Sequence, residues 1–447
     1  MNRSLMINAS SFPVAISIVM FFSALMLATS SAQELNRPPE NFQALFNGKD
    51  TTGWYGWATK NPEKLWAMSD EEEAQYKKDS RTDIEQHWSV QNGILINDGH
   101  GLYLTSEQEF SDFELHLEYK TVALADSGVY LKATPQVQIW DYTEEKKFKI
   151  GAEKGSGGLW NNLKGAAGKD PLVLADKPFG QWNKFRIRQL GARTTVWLNG
   201  KKVVDNAIHE NFFDRKRPLF RKGPIQLQTH GGEISWRNVF VKEFSSDEAN
   251  QILRAEGGSE GFTSLLEGSD LKGWAGPTEN YTLQDGVTMC KPDKGGTIYF
   301  DKEVSDFVVR MEFKLPPGGN NGLAIRYPGE GDTAYKGMCE LQVLDSAHQK
   351  YAGLDARQHH GSAYGMVAAH RGYLRPTGEW NFQEVTVAGS KIKVELNGTT
   401  ILDCDLSTVK EFLGDKPHPG MTRKKGYFGF AGHGDPVKFR NVELKEL

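Results

Sequence analysis

The sequence predicts an all-β chain of two tandem jelly-roll sandwiches, and three observations predict it. The first is a long-range repeat. Phe42–Trp54 (FQALFNGKDTTGW) returns as Phe262–Trp274 (FTSLLEGSDLKGW), and further pairs follow in the same order. These are Gln138-Ile-Trp-Asp141 with Gln342-Val-Leu-Asp345, Gln181-Trp-Asn183 with Glu379-Trp-Asn381, Leu198-Asn-Gly200 with Leu396-Asn-Gly398, and Trp236-Arg-Asn-Val239 with Phe439-Arg-Asn-Val442. A spacing of about 200 residues is too long for a solenoid unit, so each copy is a domain with its own core. The second observation is period-two alternation, clearest in Phe113–Tyr119 (FELHLEY) and Phe307–Phe313 (FVVRMEF), which marks half-buried strands. The third is turn chemistry. Asn199-Gly200 and Asn397-Gly398 each follow an apolar strand, and both residues accept the positive φ of a tight hairpin.

From the N-terminus, Asn2-Arg3 precede an apolar run, Phe12–Ala28, that ends in Ser30-Ser31-Ala32. A basic start, a short apolar core and small closing residues are the pattern of a cleaved secretory signal. Residues 1–32 are therefore read as a signal peptide, and the remaining chain as secreted or periplasmic with no stable membrane insertion. The first sandwich spans 42–244, and Glu71–Lys78 within it is read as a solvated surface turn, since convincing long helices are absent. Residues 245–261 are the linker, where Glu248–Ala255 suits one or two helical turns. The second sandwich spans 262–447. A net charge of −4 over 447 residues excludes the basic stripe that a nucleic-acid surface needs.

One strand of the second copy could carry chemistry. In Cys339–Asp345, Glu340 and Gln342 share a face while Leu341 and Val343 point the other way. Apolar residues inward and Glu/Gln outward put this face on a solvent-facing concave sheet, with Asp345 on the rim. The first copy offers Gln136, Gln138 and Asp141 in the same places. The amide of Gln136 holds a hydroxyl but takes no proton at neutral pH, so the second copy is the better catalyst. His230 and His433 each stand beside glycine in a turn, which favours an accessible imidazole. Lys132 and Arg326 align and place a cation on that strand face. Arg237 and Arg440 read as structural ion pairs closing the final strand. Trp140 and Trp160 have no tryptophan counterpart in the second copy, which makes them the candidates for stacking on sugar.

Other chemistries find no motif. There is no Gly-x-Ser-x-Gly elbow, no phosphate-cradling loop and no Cys/His metal spacing. Cys290, Cys339 and Cys404 are an odd set confined to the second copy, which suits free thiols or one bridge at most. His359-His360, if on a strand, would point to opposite faces.

Together, five motifs resemble the domain of unknown function 1080 family, described as 3-keto-disaccharide hydrolases or 3-keto-glucoside lyase/hydratases. They are the Phe-x-x-Leu-Phe-Asn-Gly-Lys-Asp…Gly-Trp opening, the Asp126-Ser-Gly-Val-Tyr130 strand start, the Glu-x-Gln-x-x-Asp strand, the Gly-Glu-Trp-Asn element and the closing His-Gly…Phe-Arg-Asn-Val. The resemblance covers both copies. It implies a concanavalin-like jelly roll, export, and action on glycosides oxidised at C3 of the sugar. It also implies that Glu340, Gln342 and Asp345 match the family's acidic strand, with Arg326 and His433 beside it; Gln136 departs from that pattern.

The implied chemistry suits these residues. A ketone at C3 acidifies the C2 hydrogen, so a base removes it and the C1 substituent is expelled; water then adds to the enone. Glu340 is expected as base, His433 or Asp345 as acid, and Arg326 as the group facing the enolate oxygen, with a divalent cation as an alternative in that last role. Gln342, Gln136, Gln138, Asp141, Lys132, His230, Trp140 and Trp160 are the remaining candidates for holding substrate. Two other classes stay open: a non-catalytic carbohydrate-binding protein, and an ordinary glycosidase using Glu340 and Asp345 as its two carboxylates.

Overall fold

The alternating segments become the middles of two matching antiparallel sheets in a computed structural model that describes Met1, Met6 and residues 34–447. Apart from Met1 and Met6, the expected signal segment lies outside the described residues. In the first copy an eight-stranded sheet runs Lys201–Ile208, Arg193–Leu198, Asn183–Leu190, Phe113–Thr121, Ile234–Glu243, Ile94–Asn97, Trp88–Gln91, with Gln43–Ala44 added to Ile234–Glu243. Against it packs a five-stranded sheet, ordered Trp54–Trp57, Tyr103–Phe110, Gly223–Leu227, Ser127–Leu131, Thr134–Ile139. The second copy repeats both orders, and its five-stranded sheet ends in Tyr427–Gly432, Asn320–Tyr327 and Cys339–Leu344. The chain is therefore two tandem concanavalin-like jelly-roll sandwiches.

Each sandwich has its own core. Leu115, Ile187 and Trp236 meet Leu104, Val129 and Val137 in the first, and Val309, Val385 and Phe439 meet Leu323, Leu341 and Phe430 in the second. Burying each such side chain stabilises the fold by about 1.5–3 kcal/mol. Arg237 lies over Trp182 at 4.0 Å and pairs with Glu118 at 2.7 Å, while Arg440 lies over Trp380 at 4.1 Å and pairs with Glu312 at 2.7 Å. Both arginines thus close the last strand onto its neighbour. Cys290 and Cys339 are buried free thiols, and Cys404 is a half-buried one.

Two helices depart from the sequence reading. Asp70–His87 is a helix of 18 residues rather than a short surface turn, opened by a Ser69–Glu72 capping box. It buries only Ser80 and Ile84, so its sequence carries no apolar stripe from which a helix could be read. Ser246–Glu256 is a helix of 11 residues, longer than one or two turns, with its own Ser245–Glu248 capping box. Its Ala249 and Leu253 pack against Leu190 of the first sandwich and Phe382 of the second.

The sandwiches also touch directly. Arg375 reaches Asp112 at 3.0 Å, with both side chains below 10 % exposed, and Arg193 pairs with Glu395. The Ala192 N–H donates to the Gly398 carbonyl at 3.1 Å. A Cβ on Gly191 would stand 2.1 Å from the Asn397 carbonyl, so only glycine permits this approach. Among the described residues no helix is long and apolar enough to cross a membrane.

Candidate functional site

The second copy's five-stranded sheet positions the site. Cys339, Leu341 and Val343 enter the core, which turns Glu340 and Gln342 to the opposite face. Gly322 lies opposite Gln342, and Ala324 opposite Glu340, on the neighbouring strand. The Glu340 side chain lies flat across that strand: a Cβ on Gly322 would stand 2.1 Å from its Oε1. Glycine at 322 is thus what leaves room for the carboxylate.

His433 follows the Tyr427–Gly432 strand and brings its Nε2 to 3.3 Å from Glu340 Oε1. The carboxylate side chain is 6 % exposed and the imidazole 45 %. The hydrogen bond to Glu340 raises the His433 pKa above its ordinary value; burial opposes this, and the negative charges of Glu340, Asp332 and Asp435 reinforce it. The imidazole is thereby biased toward its protonated form and lies within hydrogen-bond reach of a carboxylate, an arrangement that acid–base catalysis can use.

Around this pair is a cavity of about 240 Å³, lined also by Gln342, Asn320, Tyr335, Tyr364, Tyr351 and Gln358. The Gln342 amide donates to Asn320 Oδ1 at 2.6 Å, and the Gln358 amide to the Tyr364 hydroxyl at 3.0 Å. The expected open sheet face is instead covered. The segment after Leu344 doubles back along the strand edge, with Gly361 N–H donating to the Gln342 carbonyl (2.8 Å) and Tyr364 N–H to that of Glu340 (2.9 Å). Covering an edge strand satisfies its free backbone groups, and here it also shields the site from water.

The structure brings Glu340, Gln342 and His433 together and leaves other expected residues outside. Arg326 is a correction. It sits at a bulge with φ +48°, which breaks the strand alternation. Its guanidinium turns into the end of the sandwich, bonding Asp306 and the carbonyls of Ser305, Gly389 and Arg423. Lys132, at the matching position but in the two-residue hairpin turn Lys132-Ala133 (φ +55°), is likewise buried, with its ammonium on the Gly191 carbonyl and its pKa lowered by burial to about 8. Asp345 is a second correction: it accepts the Gly318 N–H at 2.9 Å and does not line the cavity. Asp141 does the same work, accepting from Leu124 N–H (2.7 Å) and from Thr143. These two aspartates hold loops. Trp140 is buried edge-on against Trp160, and Lys169 occupies one face of Trp160 at 4.0 Å, so neither ring is an open platform. His359 and His360 are both buried in the covering segment. Among the described residues no three His, Cys, Asp or Glu side chains gather to hold a metal ion. The divalent cation considered for the enolate role therefore has no ready ligand set.

In the first copy the sequence reading missed Asp126. Gln136 bonds to Gln138, whose amide donates to Asp126 Oδ1 at 2.7 Å. Asp126 Oδ2 lies 3.4 Å from His230 Nδ1 and 3.1 Å from Lys147 Nζ. Burial pushes the Asp126 carboxyl up, but the His230 hydrogen bond and the Lys147 charge outweigh it and hold the pKa below the usual range. The hydrogen bond to Asp126 correspondingly raises His230. The signal was present in the repeat: Asp126 aligns with Asn320 as Gln136 aligns with Glu340.

A larger cavity, about 440 Å³, lies between the sandwiches, but its Glu210 is held by Arg215 at 2.7 Å. It contains no carboxylate–imidazole pair of the kind described above.

Comparison with known proteins adds the following. A family model described as the 3-keto-alpha-glucoside-1,2-lyase-like domain matches residues 41–242 and 261–445. A Bacteroides thetaiotaomicron protein named 3-keto-disaccharide hydrolase is 26 % identical over 268 residues, covering 50 % of this chain and 86 % of that protein. A solved structure of a presumed glycosyl hydrolase from Parabacteroides distasonis is 26 % identical, covers 42 % of this chain and 99 % of its own, and has a TM-score of 0.38. The carbohydrate-binding module CBM66 of Bacillus subtilis is 13 % identical, covers 39 % of this chain and 96 % of its own, with a TM-score of 0.27.

Proposed function

The chain belongs to the 3-keto-alpha-glucoside-1,2-lyase-like family, with the domain present twice, and on that premise we propose that it cleaves glycosides whose sugar is oxidised at C3, by elimination and hydration in the Glu340–His433 cavity. The observation that carries this reading is a buried carboxylate 3.3 Å from an imidazole in a cavity whose lining also holds the phenols of Tyr335, Tyr351 and Tyr364, the amides of Asn320, Gln342 and Gln358, and a second carboxylate, Asp332. Its size, about 240 Å³, is below the roughly 300–1,000 Å³ of drug-sized pockets and suits one sugar ring. The similarity to a protein named 3-keto-disaccharide hydrolase supports the substrate class.

In this mechanism Glu340 removes the C2 hydrogen as a proton, and the electron pair moves onto the C3 oxygen. Hydroxyl donors lining the cavity, Tyr335 and Tyr364 among them, take the enolate role first assigned to Arg326. Collapse of the enolate breaks the bond from C1 to the glycosidic oxygen, which takes its proton from the His433 imidazolium. Water then adds, its hydroxyl to C1 and its proton to C2, so that the net change is hydrolysis. The charge pattern of the N-terminal segment supports export of the protein to the periplasm or beyond.

The test is an assay of full-length protein on matched pairs: p-nitrophenyl glucosides and their C3-oxidised counterparts. The expected result is cleavage of the oxidised member only. Cleavage of both would establish an ordinary glycosidase, and binding without cleavage a carbohydrate-binding protein.

A further inference from the structure

We propose that the first sandwich holds a second acid–base centre, formed by Asp126, His230 and Lys147, acting on the same class of C3-oxidised glycosides. This rests on the reading of Glu340 and His433 above. The register carries the argument. Gly128 pairs with Gln138 as Gly322 pairs with Gln342. Counting from these pairs, Gln136 occupies the position of Glu340 and Asp126 the position of Asn320. The carboxylate has moved from one strand to the start of its neighbour, and in both copies it reaches the imidazole of the same turn.

The scaffold has reason to move it. Tyr130 stands where the second copy has Ala324, and its buried ring fills the sheet face beside residue 136, its hydroxyl 2.8 Å from Thr59. Position 126 stays near the histidine. The Asp126 side chain is 12 % exposed and that of His230 59 %, so a shielded carboxylate again faces an accessible imidazole. The glutamine beside it is fixed alike in both copies, Gln138 donating to Asp126 (2.7 Å) and Gln342 to Asn320 (2.6 Å).

A purely structural ion pair explains this less well. The fold accepts an amide at either position, as Gln136 and Asn320 each demonstrate, and replacing a largely buried ion pair by neutral groups is often neutral for stability. What both copies keep is one carboxylate per imidazole. Lys147 adds an ammonium 3.1 Å from Asp126, braced by Glu144 at 3.0 Å, whereas no lysine or arginine lines the second copy's cavity. The bond changes are those given above, with Asp126 taking the C2 proton, Lys147 facing the enolate oxygen and the His230 imidazolium protonating the leaving oxygen.

The experiment follows cleavage of both anomers of p-nitrophenyl 3-keto-glucoside by full-length variants, with thermal melts as a fold control. Glu340→Gln is expected to lower turnover to what the first copy's centre supplies alone, still above the buffer rate, and adding Asp126→Asn or His230→Gln to lower that remainder by about 10²–10⁴-fold. Adding Gln136→Glu together with Tyr130→Ala to the Glu340→Gln/Asp126→Asn chain is expected to restore turnover, because the two changes together rebuild the second copy's arrangement; a structural role would move only the melt. If Glu340→Gln alone reaches the buffer rate, the second centre is overturned and the Glu340 reading stands. If Asp126→Asn alone reaches that rate while Glu340→Gln is silent, the second centre stands and the Glu340 reading falls. Turnover of Glu340→Gln that neither Asp126→Asn nor His230→Gln reduces would also overturn the proposal.

Discussion

The two sandwiches share strand order, core pattern and closing Arg–Glu pair, and differ in where each puts one negative charge. The second copy puts it at Glu340 with the small Ala324 alongside, leaving a covered cavity with no lysine or arginine in its lining. The first puts it at Asp126, beside Lys147, and fills the sheet face with Tyr130. The difference teaches that the histidine turn is the fixed point of this fold, while the carboxylate is free to approach it from either of two strands. A comparison confined to position 340 and its partner 136 reads the first copy as lacking its carboxylate; one that includes 126 and 320 does not.

The comparison can be broken at its joint. Arg375→Ala leaves Asp112 buried without its cation between the sandwiches, which costs about 3–5 kcal/mol. Calorimetry should show a large loss of stability, with the two copies melting less cooperatively. A single transition at the original temperature would deny that this contact couples them.

It can be sharpened at the paired glycines. Gly322→Ala sets a Cβ 2.1 Å from Glu340 Oε1, whereas Gly128→Ala sets one 3.1 Å from the Gln136 side chain. The first displaces the carboxylate proposed as the base, so the second copy's turnover, read in an Asp126→Asn background, should fall on the order of 10²-fold. The second displaces an amide that does not react, and turnover in a Glu340→Gln background should change much less. Equal effects would mean that strand 339–344 is no more important than its counterpart. Arg326→Met, by contrast, should lower the melting temperature and leave kcat per folded molecule unchanged, since its guanidinium bonds backbone and Asp306 away from the cavity.

The smallest effect is in protonation. Both histidines have raised pKa values, each chiefly through a hydrogen bond to its carboxylate. Stability from these pairs is fully present below the unfolded value of about 6.5 and is lost as pH rises through the folded value. Activity should fall over the same alkaline range as the acid is lost. In Glu340→Gln the His433 titration, followed by NMR, should move down toward the ordinary value while that of His230 stays. A His433 titration unmoved by that substitution would separate the two residues.

Much of this was legible in the sequence. The repeat fixed the domain plan, and period-two alternation in 339–344 separated Leu341 and Val343 from Glu340 and Gln342. What was not legible has physical causes. Arg326 and Lys132 sit at left-handed residues, where counting by twos fails and a side chain expected at the site turns into the sandwich end. The 70–87 helix has no apolar stripe, so periodicity could not reveal it. The segment that roofs the cavity is irregular, and its hydrogen bonds to the 340 and 342 carbonyls leave no mark in side-chain pattern. Asp126 was visible only to an alignment of both strands together.

The most direct measurement is cleavage of a p-nitrophenyl 3-keto-glucoside in D2O by the full-length chain, with mass spectrometry and NMR of the released keto-sugar. Elimination followed by hydration predicts one deuterium at C2, formed at the cleavage rate and absent from a buffer-only control. Product that retains only hydrogen at C2 would contradict the removal of that proton by Glu340 or Asp126.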